Sequence, residues 1–272
     1  MRTVTSKDGA RIAFDQSGQG PAVILVSGAT ATRADEASLA AALAPSFTVF
    51  AYDRRGRGDS GDMAPYAVER EVEDIEALID EAGGAAFVFG HSSGAVLALE
   101  AARLLPRKIT KLALYEPPII IDDSHPHVPL DYVARLNELV ATGHRGEAVE
   151  TFMAFVSAPA DISEMIAQMR QSPMWPHLEA LAHTLAYDGA IVQDTERGDP
   201  AALRKWETTA VPTLVIDGEV FMGQAEPHAF MRHGADELAR VLPNARRLTL
   251  EGQDHGPVDE VLVPALKAFF LG

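Results

Sequence analysis

Short all-apolar runs, separated by stretches with helical spacing, set the rhythm of the chain. Ala22 to Val26, Phe47 to Tyr52, Ala85 to Phe89 and Ile109 to Tyr115 each read as a buried strand. Strands of a parallel sheet are covered on both faces, so their apolar positions run on instead of alternating. Thr3 to Thr5 and Arg11 to Gln16 do alternate, around Lys7-Asp8-Gly9-Ala10, and predict an edge hairpin. Helices fill the intervals. Ser38 to Leu43 is closed by Pro45, and Val68 to Ala82 places Val72, Ile75, Leu78 and Ile79 on one face before Gly83-Gly84 stops it. The segment rich in Ala and Leu that follows Phe89 predicts a further helix, to about Leu105, where Pro106 ends it.

Strands alternating with helices predict an α/β fold, a mostly parallel sheet with helices on both faces. The rhythm then breaks. From about 119 to 205 the sequence is helical, punctuated by Met and Pro, with no convincing buried strand. Strands resume at Val211 to Ile216 and Arg247 to Leu250, and Leu262 to Leu271 closes the chain as a helix. The expected organisation is a core of residues 1–118 and 206–272 with an inserted helical cap lobe of residues 119–205. No internal repeat or low-complexity linker is present.

One junction carries chemistry. The strand ending at Phe89 runs into Gly90-His91-Ser92-Ser93-Gly94 and then into a helix, which places Ser92 at the centre of a G-x-S-x-G turn. In that strand–turn–helix context the turn pushes a serine hydroxyl out above the sheet. Gly90 and Gly94 are expected because side chains there would strike the closely approaching strand and helix. A serine hydroxyl is a poor nucleophile until a base takes its proton. His255, in the Gly/Asp/Pro loop after the last predicted strand, is the candidate base. The Ser93 backbone N–H, at the start of the helix, is a candidate oxyanion donor.

Four motifs in order resemble those of the α/β-hydrolase superfamily, over nearly all of the chain outside the lobe. Ser27-Gly28-Ala29 stands where that family has its His-Gly-x turn, with Ser27 a departure from the usual His. Asp53-Arg54-Arg55-Gly56-Arg57-Gly58-Asp59-Ser60 is similar to its D-x-R-G-x-G-x-S loop, Gly90 to Gly94 to its nucleophile elbow, and Gly252-Gln253-Asp254-His255-Gly256-Pro257 to its late histidine loop. The resemblance implies an α/β-hydrolase fold with an inserted helical cap, and the Ala29 backbone N–H as the second oxyanion donor.

The acid that orients His255 departs from the common pattern. In much of the superfamily it lies three residues after the Gly that ends the penultimate strand. Here that Gly is Gly218 and the position is Phe221, which cannot serve. Glu116, Asp217 and Glu219 are the candidates, with Glu226 further away. Glu116 leaves a predicted buried strand into Pro117-Pro118, where a carboxylate is costly to desolvate unless paired. It follows Ser92 by 116 − 92 = 24 residues. A subset of the superfamily, including haloalkane dehalogenases and zearalenone-type lactonases, carries its acid at this place, and Leu114-Tyr115-Glu116-Pro117-Pro118 looks similar to theirs. Glu116 is the first choice and Asp217 the second.

Weaker constellations need other readings. His125-Pro126-His127 lacks matching ligands and reads as a polar loop, so no metal is expected. Asp254 reads as a loop-structuring residue, and Arg54, Arg55 and Arg57 read as hydrogen-bond donors that hold loops together. In the lobe, Met174, Trp175, His183 and Tyr187 are the candidate substrate contacts, although Met and aromatic residues are more often plain core.

Composition narrows the function classes. A formal net charge of −16 without a basic patch argues against nucleic acid. The chain has no Cys, which removes disulfides and thiolate chemistry. No apolar stretch reaches the roughly 18 residues of a membrane span, and the first residues lack a signal-peptide core, so a cytoplasmic location is expected. The expected function is a serine hydrolase of carboxylic esters or lactones, without cofactor, whose partner is an apolar small-molecule substrate. A Ser nucleophile argues against dehalogenase and epoxide-hydrolase chemistry, which need a carboxylate. The alternative is a non-hydrolytic protein of the same fold: a small-molecule receptor, a lyase or a cofactor-free oxygenase.

Overall fold

The structure is a computed structural model that describes residues 1–158, 160–220 and 229–272. Its strands are β1 (Arg2–Thr5), β2 (Arg11–Gly18), β3 (Ala22–Val26), β4 (Thr48–Tyr52), β5 (Ala86–His91), β6 (Ile109–Tyr115), β7 (Thr213–Gly218) and β8 (Ala245–Leu250). They form one sheet in the order β1-β2-β4-β3-β5-β6-β7-β8. β1 and β2 form the expected hairpin, and β2 joins β4 antiparallel; every other pairing is parallel.

Helices α1 (Ala37–Leu43), α2 (Val68–Glu81) and α3 (Ser93–Leu104) follow β3, β4 and β5. α4 (Tyr132–Ala141), α5 (Arg145–Val156), α6 (Ser163–Met169), α7 (Trp175–Leu181) and α8 (Leu185–Val192) are inserted between β6 and β7. α9 (Ala229–Val241) and α10 (Asp259–Leu271) flank β8. The mostly parallel sheet, the helices on both faces and the helical insertion all follow the sequence reading. The strand ends do not. β5 runs on to His91 and β7 to Gly218, because the ladders of β5 with β6 and of β7 with β8 continue past the last bulky apolar residue. α9 was not anticipated at all.

Two apolar layers sandwich the sheet. Ile24, Val26, Val88 and Leu112 face α2, α3 and α9, while Val23, Leu25, Val49 and Ile216 face α1 and α10. α3 buries residues on nearly every side because the sheet, α2 and α8 all pack on it. Its small side chains (Ala95, Ala98, Ala101, Ala102) allow that approach. The insertion has a separate core built from Tyr132, Leu136, Val149, Trp175 and Leu185.

Candidate active site

Ser92 sits between β5 and α3 at φ 56° and ψ −128°, a conformation a side-chain-bearing residue adopts only under constraint. The neighbouring glycines supply the constraint. A Cβ on Gly90 would stand 2.6 Å from Ala95 Cα, and one on Gly94 would stand 2.3 Å from the Val26 carbonyl oxygen. Backbone therefore fits against backbone on both sides of the turn, and the Ser92 hydroxyl opens into a cavity of ≈ 370 Å³ under the insertion. Gly28, Ala29, Ser93 and His255 line the same cavity. The two candidate oxyanion donors thus stand beside the candidate nucleophile, with the N-terminus of α3 adding its positive end.

Glu116 follows β6 at φ 45° and is 4% exposed. Its Oε1 accepts from the Gly218 N–H at 2.9 Å, and its Oε2 lies 2.5 Å from His255 Nδ1. That contact fixes the proton on Nδ1 and leaves Nε2 as the lone-pair nitrogen. The other acids are engaged elsewhere. Asp217 is buried and accepts from Arg247 Nη1 and Thr249 Oγ1, at 2.8 and 2.7 Å. Glu219 accepts from the Gly252 N–H. Phe221 and Glu226 lie outside the described residues. The Asp254 carboxylate caps the Gly256 N–H, and its carbonyl takes the Tyr115 hydroxyl, so it organises the histidine loop.

His91 has a part that the sequence did not suggest. Its Nε2–H donates to the His255 carbonyl at 2.8 Å, and the two rings stand 4.7 Å apart. Burial, and then the neighbouring His255, push its pKa down to about 3, so it braces the histidine loop as a neutral donor.

Beneath the oxyanion loop lies a buried ion network. Arg54 makes a two-pronged contact with Glu71, both bonds 2.8 Å, and reaches Asp188 Oδ1 at 2.7 Å. Arg57 donates to Asp188 Oδ2 at 2.6 Å and to the carbonyls of Gly28 and Ala31. The Ser93 hydroxyl donates to Asp188 Oδ1 at 2.7 Å. Arg55 pairs with Asp74 and Asp8. The arginines hold loops together, as expected. Asp188, which no local motif singles out, joins α8 of the insertion to the floor of the site. Burial opposes its charge, but Arg57, Arg54 and Ser93 outweigh it and hold the carboxylate below its usual range.

The four lobe residues expected to touch substrate do not line this cavity. Trp175 is buried in the core of the insertion, with Arg170 over its ring. Met174 is 54% exposed, in a separate apolar groove shared with Met153, Met165 and Met169. Tyr187 stacks on Tyr66 and donates to Asp62. His183 packs edge-on against Tyr187. An apolar or aromatic residue fits the inside of a helical lobe as well as a pocket wall, so composition could not separate the two. The cavity is walled instead by Ile120, Tyr132, Phe152, Phe155, Val192 and Phe230. Among the described residues no group of His, Asp or Glu is placed to hold a metal ion, and no helix is long and apolar enough to cross a membrane.

Comparison with known proteins agrees with this architecture. An α/β hydrolase from Sphaerobacter thermophilus DSM 20745 is 52% identical in sequence, covers 99% of this chain and 100% of its own, and superposes with a TM-score of 0.87. A thermophilic esterase from Thermogutta terrifontis shares the fold at 24% identity, TM-score 0.68, covering 98% and 95% of the two chains. The polyketide synthase ThaQ of Burkholderia thailandensis is 28% identical over 96% of this chain, which spans only 12% of that protein. Two further curated relatives, an uncharacterised hydrolase of Bacillus subtilis and a lipase of Mycobacterium tuberculosis, are matched over 53% and 31% of their own length. The sequence profile described as Alpha/beta hydrolase family matches residues 23–263, and the chain belongs to that family.

Proposed function

We propose that the protein is a serine hydrolase of carboxylic esters or lactones, working through an acyl-enzyme. Ser92 Oγ attacks the substrate carbonyl carbon as its proton passes to His255 Nε2. The oxyanion accepts from the Ala29 and Ser93 backbone N–H groups. The carbon–oxygen bond of the ester then breaks, and the departing alkoxide takes the proton from His255. Water, deprotonated by the same imidazole, attacks the acyl carbon, and collapse returns the proton to Ser92 and frees the acid. Glu116 holds His255 in the tautomer the cycle requires and stabilises the imidazolium.

The observation that carries this reading is the 2.5 Å contact between Glu116 Oε2 and His255 Nδ1, on a loop that shares a cavity with Ser92. It also supports the hydrolytic reading over the non-hydrolytic one, because His255 has a buried carboxylate at hand although Phe221 stands where that acid is usual. The test is direct. A fluorophosphonate should label Ser92 stoichiometrically, and Ser92→Ala should abolish both labelling and turnover of a short p-nitrophenyl ester. Undiminished turnover in that variant would refute the mechanism.

A further inference from the structure

The catalytic scheme leaves three buried polar side chains of the cavity unused. Tyr132, on α4, His125, in the loop before it, and Glu196, after α8, all line the cavity and are 6%, 3% and 5% exposed. Among the described residues the Tyr132 hydroxyl and His125 Nε2 have no hydrogen-bond partner. His125 Nδ1–H donates to the Pro126 carbonyl at 2.8 Å, which leaves Nε2 of the neutral ring an acceptor. The nearby Phe155 carbonyl does not meet Nε2 in hydrogen-bond geometry. The Glu196 backbone is pinned, its carbonyl accepting from the Val128 N–H at 2.8 Å. Its carboxyl faces no cation, and burial alone pushes its pKa up to about 8, so it is a neutral donor at pH 7. Burial, with the ionised Asp188 nearby, keeps the Tyr132 hydroxyl protonated.

A buried polar group without a partner carries the full cost of its lost hydration. Two of them, beside a buried carboxyl whose charge burial opposes, are unexplained by packing, which Phe and Leu would serve better. We propose that Tyr132, Glu196 and His125 form a specificity end of the cavity, recognising a hydroxyl or carbonyl oxygen that the substrate carries away from its scissile bond. This rests on the serine hydrolase reading of the same site. Two donors and one acceptor suit a neutral oxygen. A carboxylate is disfavoured, because no Lys or Arg lines the cavity among the described residues and the ionised Asp188 does.

Binding can be read without turnover by titrating Ser92→Ala calorimetrically. The probes are p-nitrophenyl ω-hydroxyalkanoates of increasing chain length, each beside its unsubstituted ester. At a matching length the hydroxy ester should bind about 10-fold more tightly than its partner. Tyr132→Phe and Glu196→Met, each added to Ser92→Ala, should erase most of that preference and leave the unsubstituted ester within about 2-fold. Equal affinities at every length, the result expected if solvent alone satisfies these groups, would overturn the inference. So would a preference that survives both substitutions. Hydrolysis by the unmodified protein is measured separately. Its absence counts against the serine mechanism, and the affinity ratio decides the polar end independently.

Discussion

Replacing Asp188 by Asn is the sharpest test of how the insertion is fastened to the catalytic floor. The change keeps shape and removes one negative charge from a cluster of two guanidiniums and two carboxylates whose side chains are at most 4% exposed. Arg54 retains Glu71. Among the described residues Arg57 then donates to the Gly28 and Ala31 carbonyls and to no carboxylate, and its Nε already lacks a partner. Burial and the neighbouring Arg54 already hold Arg57 below the usual guanidinium range, so the loss falls on the most exposed weakness of the network. Breaking a buried pair by removing one partner costs about 3–5 kcal/mol. At about 2–4 °C per kcal/mol for a chain of this size, the melting temperature should fall by roughly 6–20 °C. Turnover should fall as well, by about 10-fold or more, because the carbonyls held by Arg57 flank the Ala29 amide. Urea and thermal unfolding of both proteins, with ester turnover at a temperature where both are folded, measure the two effects. A loss of stability below about 1 kcal/mol with unchanged turnover would refute the argument. So would a double variant, Asp188→Leu with Arg57→Met, that is less stable than Asp188→Asn, since removing both charges should relieve the penalty.

Three further changes separate chemistry from architecture. Glu116→Gln should lower kcat by about 10³–10⁴ while leaving Ser92 present, because the wrong tautomer disables the base; Asp217→Asn, which touches Arg247 and Thr249 only, should change kcat by less than about 3-fold. Gly94→Ala drives a Cβ to 2.3 Å from a backbone oxygen that cannot retreat, and should destabilise the fold by about 3 kcal/mol or more on urea unfolding.

The sheet was legible because its strands are buried on both faces, and a run such as Ala22 to Val26 leaves no other reading. The meeting of Ser92 and His255 at one cavity was legible because each stands in a local motif whose geometry is set by adjacent residues. The pairing of Glu116 with His255 was legible through its two prolines and the cost of burying a lone carboxylate. α9 was hidden by Gly234, which reads as a helix breaker. It is required there because a Cβ would lie 2.4 Å from the Ile119 carbonyl oxygen. Asp188 was hidden for a different reason. Its partners are Arg54 and Arg57, more than 130 residues away in sequence, and no local spacing encodes such a pairing. Trp175 and Tyr187 were misplaced because aromatic character marks burial without saying against what.

The charge network that ties α8 to the oxyanion loop also shapes how this scaffold can change over generations. α8 cannot drift without disarming the machinery below it. α6, which contributes no buried residue, carries no such obligation. Substitutions there are free to accumulate without disturbing the buried charges beneath Ser92.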